Sequence, residues 1–424
     1  MGGVLDLLRT GHWLSRDRLR LWGLALLTAS ALGLVFVVAT ADGINDYQGR
    51  PLGTDFSNVY AAGTYVLEGQ ASAPFDWPKQ YAREQAIFGA NTPFYGWHYP
   101  PFFLFVAAVL ALMPYALSLA VWQAATLLLY LGTLCAILRA TAKQAGAWPN
   151  LITRDPMWLV AALAFPAVFI NIGHGHNGFL TAALMGGALV ALDRRPVVAG
   201  ILFGMMAYKP QFGLLIPLAL AAGGRWRAFA AAAATVTALA FATLIAFGPD
   251  VWRAFFASTA LTRVEVLEQG GTGWHKIQSA FAIVRMWGGG VAYAYLVQGA
   301  VTLAVAAALV LLWRSAAAYP LKAAAFCIAA LVATPYSLDY DLVVLAPALA
   351  YLAAHGFTRG FAGYERTALA ALWFMPLVAR TVADYALLPL GVPLMLAVLG
   401  LILRRAAIDL GILTDWQPSP HPSK

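Results

Sequence analysis

The residues able to do chemistry in this chain stand in short polar breaks between long apolar runs. Asp55 lies in Gly53-Thr54-Asp55-Phe56-Ser57-Asn58, just ahead of a short helical pattern. A carboxylate there either caps that helix, as Thr54 also can, or acts as a general base. Asp42 and Asp46 are spaced like helical partners and would suit a carboxylate pair or a cation, although Gly43 and Asn45 read as an ordinary turn. Lys209, in Tyr208-Lys209-Pro210-Gln211, stands between two apolar runs. It either snorkels to the interface or anchors a phosphate, with Gln211 as a nearby donor. The stretch Gly270-Gly271-Thr272-Gly273 precedes Trp274-His275-Lys276, then Gln278-Ser279 and Arg285. Glycines that expose backbone N–H groups beside His and Lys suit a phosphate, and they equally suit a flexible surface loop.

His174 and His176 are two residues apart, without a neighbouring Cys or carboxylate in sequence. That spacing is a poor zinc set, so no metal is expected, and His176 with Asn177 better suits hydrogen bonding to sugar hydroxyls. Asp339 and Asp341, after Thr334-Pro335-Tyr336-Ser337, either cap the next helix or line a cleft. The two cysteines, Cys135 and Cys327, both lie inside apolar runs and suggest neither a disulfide framework nor a metal cluster.

The elements that must position these residues are membrane helices. Of 424 residues, 61% are hydrophobic and 11% charged, against roughly 25% charged in a soluble domain. Apolar runs of spanning length recur along the chain, each able to cross a hydrocarbon core of about 30 Å. The expected fold is all-α, a single polytopic membrane domain over residues 1–424 with about twelve spans. The first is Leu21 to Ala41, too long for a signal-peptide core. The others lie near 116–138, 157–172, 177–192, 196–208, 211–223, 228–247, 291–313, 321–335, 341–354, 367–382 and 387–403. The net charge of +8 comes from basic clusters between spans, which encode orientation and argue against nucleic acid as a partner.

Charge also decides the segment His98 to Tyr115, which is apolar for too few residues to span comfortably and is bracketed by prolines. If it does not cross, the clusters Arg139/Lys143/Arg154, Arg194/Arg195, Arg225/Arg227, Arg314/Lys322, Arg359/Arg366 and Arg404/Arg405 all fall on the cytoplasmic side. It is therefore expected to be re-entrant, within a first outer loop at 42–115. That loop also holds interfacial helices at Phe56 to Leu67 and Gln80 to Phe88. A second long outer loop is expected at 248–290, and both termini are expected in the cytoplasm.

Taken together, Asp55 with the helix after it, Tyr99-Pro100-Pro101, the turn at Gly175 to Asn177, Lys209-Pro210-Gln211, Gln278-Ser279 with Arg285, and Pro335-Tyr336-Ser337 resemble glycosyltransferase family 87. This is a family of polytopic GT-C enzymes that use polyprenyl-phosphate-linked sugars. The resemblance runs over nearly the whole chain. It implies a GT-C-like bundle in the cytoplasmic membrane, with the active site on the outer side, and Asp55 as the catalytic base. It implies donor-phosphate contacts at Lys209, His275, Lys276 and Arg285, and sugar or acceptor contacts at His176, Asn177, Gln211, Gln278, Tyr336 and Asp339. The partners implied are a polyprenyl-phosphate sugar donor, a glycolipid or glycan acceptor and membrane lipids, with no cofactor. Some members carry Gln at the position of His176 and His in the turn that reads Asp339-Tyr340-Asp341 here.

The residues fit that chemistry. An acceptor hydroxyl needs a base in the transition state, and the departing phosphate needs cations at the membrane surface. Direct displacement with one carboxylate would invert the anomeric centre. A transporter or flippase for an anionic lipid-linked sugar is the competing class, and it should carry ionisable groups near the midplane of its spans. A structural subunit that binds glycolipid without turnover is the third.

Overall fold

The computed structural model describes residues 2–148, 150 and 152–414. The C-terminal end at 415–424, expected in the cytoplasm, lies outside the described residues. Among the described residues the chain is all helix, with isolated β-bridges in its loops and no strand. A short helix α1 (Gly2–Thr10) precedes α2 (Arg16–Ala39), whose N-terminus Ser15 caps through the Arg18 N–H at 3.3 Å. Then come α3 (Phe56–Leu67), α4 (Trp77–Phe88), α5 (Phe103–Ala111) and the 30-residue α6 (Tyr115–Gln144).

The next apolar stretch is not one straight helix. Pro166 breaks it into α7 (Met157–Leu163) and α8 (Pro166–His174), bent by 46°. After α9 (Gly178–Ala191) and α10 (Pro196–Met205), Pro210 opens the four-residue α11 (Pro210–Gly213), followed by α12 (Ile216–Ala222). Proline removes a donor and forces its predecessor out of the helical region, so Lys209 is left in a break with φ −125° and ψ 73°. The remaining helices are α13 (Trp226–Phe247), α14 (Asp250–Thr262), α15 (Ala280–Met286), α16 (Val291–Arg314), α17 (Tyr319–Val332), α18 (Leu345–Arg359), α19 (Glu365–Ala386) and α20 (Gly391–Asp409).

Among the described residues seven helices are long and apolar enough to cross a membrane, eight if the bent pair counts as one span. The other expected spans fall on four apolar segments of 10–17 residues. One of them, expected as continuous from 211 to 223, is interrupted between α11 and α12. The protein is a multi-pass membrane protein, and its centre is α17, where 12 of 14 residues are buried. A helix that is apolar all round belongs inside a bundle, and α17 packs between α16, α18 and α20. By contrast α2 lies at the rim, packed mainly against α7 and α8.

Glycines set the closest helix approaches. A side chain at Gly200 or Gly204 of α10 would collide with Ala228, Ala231 and Thr235 of α13, so these two helices pack backbone to backbone. Gly63 does the same for α3 and α5, where an added Cβ would meet the Ala107 carbonyl oxygen and lie 2.7 Å from Ala111 Cβ.

Two expectations change here. The helix Phe56–Leu67 was expected to lie on the bilayer surface, yet eight of its twelve residues are buried, because it is wedged against α4 and α5. The stretch 248–290 was expected as a loop, yet it is mostly ordered structure: α14 runs on through π-helical turns at Arg263–Glu268, a 3-10 turn at Trp274–Lys276 follows, and Ser279 caps α15. The nine residues of α5 rise about 14 Å, less than half of a hydrocarbon core, so α5 cannot span on its own.

Gly63→Val should overpack the α3/α5 contact, at a cost of about 1–3 kcal/mol or more. The expected result is a lowered thermal transition of the detergent-solubilised protein, with Thr64→Ser, one residue along and keeping the hydroxyl that accepts from Arg83, nearly neutral. Equal transitions for the two variants would contradict the packing described.

Candidate active site

Asp55 is placed by backbone contacts across 120 residues of sequence. Its N–H donates to the His174 carbonyl at 3.0 Å, and Thr54 Oγ1 meets His174 Nδ1 at 2.9 Å. Two glycines with positive φ make this possible: Gly53 and Gly175 pack face to face, and a side chain on Gly175 would come within 2.6 Å of Phe56 Cβ. Neither Thr54 nor Asp55 caps α3 through its side chain, since the Thr54 hydroxyl is turned to His174 and Asp55 makes no capping bond. The capping reading therefore fails. The Asp55 carboxylate, 20% exposed, has His174 Nδ1 at 3.8 Å and no hydrogen bond among the described residues.

The turn from Thr334 to Asp341 closes over this corner. Tyr340 stacks on His176 with ring centroids 3.6 Å apart and meets His174 edge-on at 5.6 Å. His176 Nε2 in turn pairs with the Tyr99 hydroxyl at 3.2 Å. The 3-10 turn Trp274–Lys276 is docked alongside, because Gln278 N–H donates to the Ser337 carbonyl at 2.6 Å and Ile277 bridges Leu338. From α19, Arg380 reaches Asp339 at 3.4 Å and Asp384 reaches His275 at 3.4 Å. Six segments remote in sequence thus meet at one end of the bundle.

Several expected site residues sit elsewhere or are otherwise engaged. Lys209 is buried, and its ammonium is 2.5 Å from Asp341, so it is no free cation. Arg285 spends its guanidinium on the Gly289 and Glu268 carbonyls and lies over Trp274 at 4.7 Å, holding its own loop together. Asp46 is tied to Arg50 and to the N–H groups of Gln48 and Arg50, closing a turn. Gln211 is half-buried on α11, and Gln278 is buried beneath Gly391. His174 turns to Thr54 and Asp55 and His176 to Tyr99, with the Tyr340 ring against both.

The electrostatics favour a base. Burial pushes the Asp55 carboxyl above its ordinary range against the pull of His174, with Asp339, Lys276 and Lys209 also within reach of its charge. Burial, with Arg380 alongside, lowers the Lys276 ammonium, and burial holds the His176 imidazole well below the usual histidine range. Several buried polar atoms in the same region have no hydrogen-bond partner among the described residues: both amide atoms of Asn177, His176 Nδ1, Asn171 Nδ2 and Ser337 Oγ. Buried polar groups are normally satisfied, so this cluster suits a hydroxyl-rich ligand or bridging water.

Sequence reasoning missed four contributors. His174 was weighed only as half of a metal pair, and nothing in spacing links it to Asp55. Arg380 and Tyr340 join the site only through tertiary contact, although Arg380 does stand in one of the polar breaks. Glu84, also passed over, is fully buried and accepts from the Tyr95 and Gly96 N–H groups and from Gln80, which fixes the loop leading to Trp97 and Tyr99.

A family model described as glycosyltransferase family 87 matches residues 97–335, more than half of the chain. No curated protein and no solved structure matches. The matched range includes His176, Lys209, His275 and Gln278, while Asp55, Asp339 and Arg380 fall outside it.

Burial pushes Glu84 up to about 7, against its three hydrogen bonds. A carboxyl that holds its proton more tightly when folded contributes full stability below the unfolded range near 4.5 and loses it as pH rises toward 7. The thermal transition of Glu84→Gln minus that of the wild type should therefore grow more positive from pH 5 to pH 8. A flat difference would mean that the hydrogen bonds keep Glu84 ionised throughout.

Proposed function

The chain belongs to glycosyltransferase family 87 and is a membrane glycosyltransferase; from that premise we propose that it moves a sugar from a polyprenyl-phosphate donor to a hydroxyl of a glycolipid or glycan acceptor, on the outer face of the cytoplasmic membrane. The observation that carries this reading is the Asp55 carboxylate, which makes no hydrogen bond among the described residues and is held beside His174 at an end of the bundle where Lys276, His275 and Arg380 also gather. Membership of the family sets aside the transporter reading.

In the proposed reaction Asp55 takes the proton of the acceptor hydroxyl as its oxygen bonds to the anomeric carbon. The bond from that carbon to the phosphate oxygen breaks, and its electron pair leaves with the polyprenyl phosphate. One displacement on one face gives inversion. A carboxyl raised by burial is a stronger base than an exposed one, and the absence of a fixed hydrogen bond leaves its lone pairs for the substrate. Lys276 and Arg380 are the cations proposed to face the leaving phosphate, an electrostatic role that gains from partial burial, with His275 proposed beside them as a hydrogen-bond donor, since burial lowers its imidazole below the ordinary histidine range. His176, Asn177, Tyr336 and Asp339 are proposed around the sugar or acceptor, and the unsatisfied atoms of His176 and Asn177 support that placement.

The outer-face assignment rests on charge. The opposite end of the bundle carries the arginine-rich contacts Arg16–Asp155, Arg225–Asp193 and Arg405–Glu365, as the positive-inside rule expects of a cytoplasmic side. Twelve crossings follow if the bent pair and the four shorter apolar segments each complete a span.

Single-cysteine labelling on a Cys-free background should find positions Gln144, Gly224 and Gly360 reactive from the cytoplasm and Gln70 and Gly290 from outside. The reverse pattern would move the site to the cytoplasmic face. Asp55→Asn keeps the side-chain shape and should lower transfer by about 10²- to 10⁴-fold while leaving insertion and donor binding intact. Near wild-type turnover in proteoliposomes would remove Asp55 as the base.

A further inference from the structure

The proposed chemistry leaves the Lys209–Asp341 pair unused, although it is the most deeply buried ion pair near Asp55, with side chains 4% and 1% exposed. A donor phosphate at Lys209 would have to share a buried ammonium with the Asp341 carboxylate. The carboxylate is bound on both oxygens: Oδ1 takes the ammonium at 2.5 Å, and Oδ2 accepts the Leu338 N–H at 3.0 Å. Asp341 N–H donates back to the Leu338 carbonyl at 3.0 Å, closing a tight turn.

That turn carries much of the site. Leu338 bridges Ile277 and so docks the loop with His275 and Lys276, Asp339 meets Arg380, and Tyr340 stacks on His176. Lys209 is itself fixed, held in the break before Pro210 by its N–H bond to the Met206 carbonyl at 2.9 Å. We propose that Lys209 is a positioning residue: its ammonium neutralises Asp341 and locks the 338–341 turn, so that His176 and the 274–279 loop stay in register with Asp55, and it does not ligate the donor phosphate.

The pair can be replaced as a unit. Breaking a buried pair by removing one partner leaves a lone buried charge, whereas neutralising both members is often tolerated. Lys209→Met, Asp341→Asn and the double variant separate these cases, since Asn at 341 can still accept from the Leu338 N–H. Two readouts are used on the full-length protein in detergent: hydrogen exchange of peptides covering 334–344 and 274–279, which needs no substrate, and transfer from a polyprenyl-phosphate mannose probe.

Each single variant should speed exchange in both peptides and lower transfer by about 10²-fold or more, and the double should return transfer to within about tenfold of wild type with exchange restored. Lys209→Met with unchanged exchange and lost transfer would overturn the proposal, as would a folded double variant as inactive as Lys209→Met. If the singles fail to fold, recovery of folded protein by the double supports the proposal and its failure overturns it. The transfer arm rests on the donor proposed above. A wild type inactive with the probe would count against that donor alone, and the exchange arm would still decide the role of Lys209.

Discussion

A hydrocarbon interior offers no partner to an unpaired peptide group, and each such group costs several kcal/mol there. Helices that cross must therefore be continuous, or broken only where protein or water can complete them. This chain concentrates many of its breaks at one end of the bundle: before Pro210, at Gly175, and in the turn at 335–341. Each break frees backbone and polar side chains that a regular helix would consume. The loop at Asp55 uses one such freed group, the His174 carbonyl, as its mooring. The site is thus built from the irregularities that the membrane tolerates only where neighbouring segments cover them.

This arrangement explains why much of the fold was legible in sequence. Apolar length marks spans whatever their neighbours, and helices observed at 115–144, 226–247, 291–314, 365–386 and 391–409 lie close to the runs of spanning length. Interior bends and surface location were less legible. The helix Phe56–Leu67 has the mixed texture of a surface helix, and it is buried because Gly63 lets α5 approach its backbone. Periodicity reports which face is apolar and says nothing of what covers the polar one.

At the site, residue type was informative and pairing was not. Asp55 was legible as a carboxylate before a helix, and the structure removes the capping reading because no capping bond forms. Lys209 looked like a cation near a surface until Asp341, remote in sequence, appeared against it. Arg285 looked available until its guanidinium was found on two carbonyls of its own loop. A charged residue between spans has a type that can be read locally, but its availability depends on a partner whose identity only tertiary structure supplies.

The separation of Lys209 and Asp341 has a consequence for how the protein is made. The lysine emerges from the ribosome 132 residues before the carboxylate that neutralises it, with α11 to α17 synthesised in between. Until then its ammonium must remain hydrated or lie among lipid headgroups, because the neighbouring apolar segments cannot bury it alone. The half-inserted chain is therefore unable to finish packing around Pro210 early. Its final compaction waits for the last third of translation, when Asp341 and then Arg380 arrive, so truncated products would retain an open, hydrated seam that membrane quality control can recognise.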